Sequence, residues 1–133
     1  EVRMIIEPEI AALAAETGPC RRKIEELQPV EDEVKELCDK EEPHMHKDIE
    51  FHEMLAKMSK NMIMPKYHSG HPSQVIFPFF IKYHGTIPLT KETVRTHQMI
   101  VDAIRERNPK AAKDAMIEHL ASNQDKIERL SGL

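Results

Sequence analysis

An all-α fold, an antiparallel bundle of about six helices, is what this sequence predicts, and three observations predict it. Glycine is scarce, with four in 133 residues, tryptophan is absent, and aromatics make up 5%, whereas strand-rich folds draw on β-branched and aromatic residues. Long stretches are rich in Ala, Glu, Lys, Leu and Met, which favour helix. Apolar residues recur at helical spacing, and Pro, Gly and Asn signals separate the stretches that carry them. The length suits one domain and lets the chain bury roughly two-thirds of the surface its unfolded form exposes.

The first helix is expected over residues 2–16, with Val2, Ile5, Ile6, Ile10 and Leu13 as its apolar stripe and Pro8 as a kink or fresh start. Thr17-Gly18-Pro19 stops it, because glycine takes the left-handed cap and proline cannot continue the helix. The second runs over residues 21–40, with Ile24, Leu27, Val34 and Leu37 inward and Pro29 as a kink, and Glu41-Glu42-Pro43 breaks it. The third covers residues 44–64, with Phe51, Leu55, Met58 and Met62 on one face. Residues 65–89 hold four prolines, two glycines and the apolar run from Val75 to Ile81, read as a short broken helix that plugs one end of the core or forms a partner contact, with base rates favouring the plug. Thr90 caps a helix over residues 91–107, with Glu92 in its first turn. Asn108 turns the chain, and Pro109 opens a last helix reaching about residue 130.

The net charge of −4 is interspersed, with no basic stripe, so this stretch does not read as a nucleic-acid binder. No apolar run approaches the roughly 20 residues of a membrane span, and no leader is visible. Cys20 and Cys38 make no CxxC motif, and reduced thiols of a cytoplasmic protein fit them best. The chain opens at Glu1 on a sequence already helical, which suggests a piece of a longer protein.

The chemistry lies in polar residues that interrupt apolar stripes. Asp48 and His52 stand one helical turn apart, on the same face as Ser59 and beside Leu55 and Met62. A carboxylate aimed into a core is costly unless something pairs with it. His97 falls in the stripe Val94, Val101, Ile104, and His119 in the stripe Met116, Leu120, Asn123, Ile127. His97 precedes Asn108 by 11 residues and His119 follows it by 11. In an antiparallel hairpin both therefore sit about 16 Å from the turn, at one height. Any one of these histidines alone is an ordinary core residue; together, one carboxylate and three imidazoles from three helices point to one divalent transition metal. Their chemistry suits zinc or nickel first, then manganese, iron or cobalt.

The other histidines carry less. His44 and His46 flank Met45 at a helix start and read as solvated, and His68, His71 and His84 read as surface residues. Glu41 and His44 form one Glu-x-x-His, where a ferritin-like di-metal site needs two. No Gly-x-Ser-x-Gly elbow and no phosphate-cradling glycine loop occurs. No spare inward Glu or His stands out as a general acid or base, which ranks a small helical metalloenzyme low; a structural metal in an interaction bundle is the other alternative.

Several segments, in order, resemble one family. Glu1-Val2-Arg3-Met4-Ile5-Ile6-Glu7-Pro8 with Ala11-Ala12-Leu13-Ala14-Ala15 is similar to the first helix of the FCD domain, the C-terminal effector domain of FadR-type GntR transcription regulators. Asp48-Ile49-Glu50-Phe51-His52, Ser59-Lys60-Asn61, the stretch from His97 to Ile104, and Ala112, Ala115, Met116, His119-Leu120 resemble its further motifs. Thr96 stands where an acid is common, Asn108 where an Asp is common, and residues 65–89 have no clear counterpart.

The resemblance implies a helical bundle that binds a small organic acid near a metal held by Asp48, His52, His97 and His119, the ligand set of the family's metal-binding branch. It implies a homodimer, and a winged helix-turn-helix, absent from this chain, that binds operator DNA. Arg3 is the first candidate to grip the effector carboxylate, since a guanidinium pairs with it bidentately. Its competing reading is an ion pair with Glu7 one turn on. Asn61 and Asn123 are further effector-binding candidates.

Overall fold

A computed structural model describes residues 2–16, 21–59 and 90–131. Five helices run through them in order: α1 (Val2–Glu16), α2 (Arg21–Asp39), α3 (Met45–Met58), α4 (Lys91–Arg105) and α5 (Pro109–Ser131). No strand occurs among the described residues. Asn61, Cys20, the Gly18 stop, the expected broken helix in residues 65–89, and His68, His71 and His84 lie outside them.

Each helix end follows from local chemistry. The Thr90 side chain accepts from the Thr93 N–H, so the expected cap is made, and Asn108 Oδ1 accepts from the Ala111 N–H, a second cap at the expected turn. Helix α2 closes with Glu42 N–H on the Leu37 carbonyl and Glu41 N–H on that of Cys38; α4 repeats the pattern with Asn108 on Ala103 and Arg107 on Ile104. This closure puts Glu41 at φ 55° and Arg107 at φ 54°, where a Cβ is unfavourable. Arg107→Gly is therefore expected to stabilise the chain by up to about 1 kcal/mol, read as a raised urea midpoint. An unchanged or lowered midpoint would count against strain at this turn.

Helices α4 and α5 form the hairpin the turn predicts, and α1 packs on α5, α3 and α4, with α2 against α3 and α4. The core gathers Ile10, Leu27, Phe51, Leu55, Ile100, Ile104 and Met116, all essentially inaccessible, each side chain contributing roughly 1.5–3 kcal/mol on burial. Gln28 and Gln98 exchange two amide hydrogen bonds, at 2.8 and 3.0 Å, which fixes the register of α2 on α4. Surface pairs such as Arg95 with Glu92 and Glu118 are about half exposed and add little.

Two expected stripes are corrected. Helix α1 runs unbroken through Pro8, but its inward face is Arg3, Glu7, Ile10, Ala11 and Ala14, while Ile5 is 72% exposed. On α2 the inward face adds Val30 and Glu31, and Leu37 is only half-buried. In both, a charged residue takes a core position because another helix supplies its partner.

Candidate metal centre

The fold brings the four candidate donors together. Asp48 and His52 share the inward face of α3 with Phe51 and Leu55; His97 and His119 meet across the α4–α5 hairpin at the height their spacing predicts. One donor atom from each lies within 4.8 Å of every other, and all four residues are buried. The Nε2 atoms of His97 and His119 are 3.2 Å apart. Asp48 Oδ1 lies 3.2 Å from His97 Nε2 and 3.5 Å from His52 Nε2. Donors held about 2.0–2.2 Å from a common ion stand roughly 3.0–3.5 Å apart when adjacent, so these separations match.

Each ring also has a partner at its other nitrogen. His97 Nδ1–H donates to Glu31 Oε2 at 2.9 Å. His52 Nδ1 lies 2.7 Å from Glu7 Oε1, whose other oxygen accepts from Arg3 Nε at 2.5 Å. His119 Nδ1 lies 3.0 Å from the Thr96 hydroxyl. Phe51 stacks on His97 with centroids 4.3 Å apart and planes 19° from parallel.

Burial lowers the His97 pKa, but Asp48 and Glu31 outweigh it and push the ring up to about 9. His52 is raised likewise: burial opposes the charge, and the Glu7 and Asp48 carboxylates prevail. His119 goes down, through burial first and then the charges on His97 and His52. Burial raises Glu31, against the pull of His97. Among the described residues the buried charged groups other than histidine are Asp48, Glu7, Glu31 and Arg3. With the imidazoles neutral, as metal ligation requires, three carboxylates against one guanidinium leave two negative charges, which one divalent ion cancels. The residues present thus fit a divalent metal by donor type, spacing and charge.

Two buried carboxylates at the site, Glu7 and Glu31, contradict the expectation that no further inward Glu exists. A signal for each was present: Glu31 continues the spacing of Ile24, Leu27 and Val34, and Glu7 that of Arg3, Ile10, Ala11 and Ala14. Thr96, read only as a departure, is the partner of His119. Arg3 is buried and bonded to Glu7, so their pairing is internal rather than at the surface. Asn123 is buried one turn beyond His119, and its Nδ2 finds no hydrogen-bond partner among the described residues. His46 is exposed and His44 half-buried.

Known proteins agree with this architecture. The chain is 29% identical over 130 residues to the uncharacterized HTH-type transcriptional regulator YcbG of Bacillus subtilis (strain 168), covering 96% of this chain and 52% of that protein. The solved structure of Streptococcus agalactiae GntR superposes with a TM-score of 0.75 at 29% identity, covering 93% of this chain and 56% of the other. The chain spans about half the length of these relatives. Residues 1–122 match the family described as FCD domain, and the chain belongs to that family.

Proposed function

We propose that this chain is the ligand-sensing and dimerisation domain of a GntR-type transcription regulator, with Asp48, His52, His97 and His119 holding one divalent metal that anchors a small organic acid. The observation that carries the reading is the convergence of four buried donors on one point, in a pocket whose two excess negative charges match a divalent ion. Zinc or nickel suits the donor set best, ahead of manganese, iron or cobalt. A bound ion supplies Lewis acidity toward a carboxylate at any position the four donors leave open. Arg3, Asn61 and Asn123 are the proposed contacts to that acid. Support for Asn123 comes from its buried Nδ2: a donor without a partner costs roughly 1–3 kcal/mol, which an effector oxygen would recover.

The full regulator would be a cytoplasmic homodimer that reads DNA through an N-terminal winged helix-turn-helix outside this chain. Effector binding would favour one relative placement of the two DNA-binding domains over another. That the relative YcbG is named as an HTH-type transcriptional regulator favours this over a metalloenzyme. No described helix is long and apolar enough to cross a membrane.

Metal content by plasma mass spectrometry tests the core of the proposal, followed by thermal-shift screening of mono- and dicarboxylates with and without chelator. About one ion per chain is expected, with carboxylate stabilisation that chelator abolishes and Asn123→Ala weakens. A metal-loaded chain indifferent to every acid would leave a structural metal and end the sensing proposal.

A further inference from the structure

The four donors explain what meets the ion, but imidazole rings rotate, and something must keep three Nε2 atoms aimed at one point. We infer that Glu31, Glu7 and Thr96 are positioning residues that lock the three imidazoles with Nε2 inward, and that they set the affinity of the site for a divalent ion alongside its four donors. The inference rests on the metal reading and deepens it.

Thr96 sets the tautomer of His119. Its hydroxyl carries one proton, and the Glu92 and Thr93 backbone carbonyls at 3.1 and 2.9 Å are there to accept it. The hydroxyl oxygen is therefore the acceptor toward His119, whose Nδ1 carries the hydrogen and whose Nε2 carries the lone pair. Glu31 imposes the same tautomer on His97, because an ionised carboxylate only accepts. Both side chains of that pair are essentially inaccessible, and they lie 66 positions apart in the chain, so the contact exists only because α2 docks on α4. At His52 the Glu7 carboxylate, held in turn by Arg3, stands 2.7 Å from Nδ1 and acts on the ring as a close electrostatic partner. With the rings neutral at Nδ1–H, the His97 and His119 lone pairs face each other across 3.2 Å, an arrangement that needs a cation between them: a proton in the metal-free chain, or the ion that displaces it.

Two kinds of support follow from the chemistry. The carboxylates behind His52 and His97 make those rings stronger donors than the hydroxyl makes His119. They also bring the buried charge to the value one divalent ion neutralises, a role that an amide of the same shape cannot fill.

Cobalt(II) titration, following both affinity and the visible ligand-field bands, tests this on the native chain, Glu31→Gln, Glu31→Ala, Thr96→Val and Thr96→Ser, with far-ultraviolet circular dichroism reporting the helices. Glu31→Gln is expected to bind cobalt roughly 10- to 100-fold more weakly, with shifted bands and native helicity. Glu31→Ala should be weaker still, Thr96→Val weaker than native, and Thr96→Ser near native. Should Glu31→Ala fail to fold, the near-isosteric Gln variant and the Thr96 pair decide the matter. Native affinity and native bands in Glu31→Gln and Thr96→Val would overturn the inference while the metal reading stands. A native chain that takes up no cobalt, zinc or nickel would overturn the metal reading, and this inference with it.

Discussion

Zinc or nickel added to the metal-free chain is expected to raise its melting temperature by roughly 10–20 °C, and His97→Ala/His119→Ala is expected to abolish that rise. Binding to the folded state alone stabilises by about 4 kcal/mol when free metal exceeds Kd a thousandfold, and in a chain of this size each kcal/mol is worth several degrees. The double variant removes two of the four donors, so its affinity should fall at least about a thousandfold. Uptake should also depend on pH with a definite sign. His97 in the metal-free chain holds a proton up to about pH 9, and the ion must displace it. Apparent affinity should therefore rise with pH up to about 9, by about tenfold per unit for that one proton, and flatten above. Isothermal titration at several pH values reads both the affinity and the protons released. A double variant that retains the thermal shift would show that the ion sits elsewhere, and affinity independent of pH would contradict the role given to His97.

The second large effect is mechanical. Phe51 is fully buried, stacked on His97, and meets His52 edge-on at 5.6 Å and 84°. Phe51→Ala removes the largest fully buried side chain among the described residues and leaves a cavity, at an expected cost of about 3–5 kcal/mol. Against a total stability of order 5–15 kcal/mol, that is a large fraction. The ring is also a wall for His97, so the variant should bind metal more weakly even where it stays folded. Phe51→Leu fills most of the volume and should cost under about 1.5 kcal/mol. Urea denaturation of the metal-free forms gives the stability difference free of metal linkage. A loss below about 1 kcal/mol in Phe51→Ala would mean that the core closes over the gap and that the stack is incidental.

Much of the fold was legible because its signals are local. The ends of α1 coincide with the expected residues 2–16, and α2 ends one residue short of its expected limit. Thr90 makes the cap expected of it, and the chain turns at Asn108 as expected. The meeting of His97 and His119 was legible too, since equal spacing about Asn108 on helices of constant rise determines height. Asp48 and His52 could be paired by the period of one helix alone.

The facing of α1 and the partners of the imidazoles were decided by tertiary structure. Periodicity offers α1 two overlapping faces that share Ile10: one with Ile5 and Ile6, the other with Arg3, Glu7 and Ala11. Hydrophobicity favours the first, and the chain buries the second. Burying a carboxylate costs several kcal/mol unless it is paired. Glu7 escapes that cost through Arg3 on its own helix and His52 on α3, and Glu31 through His97 on α4. The sequence by itself thus determined where the helices lie and which four donors share a level. Which acids turn inward to hold those donors depended on contacts between helices 45 to 66 residues apart in the chain, whose energies no single helix contains.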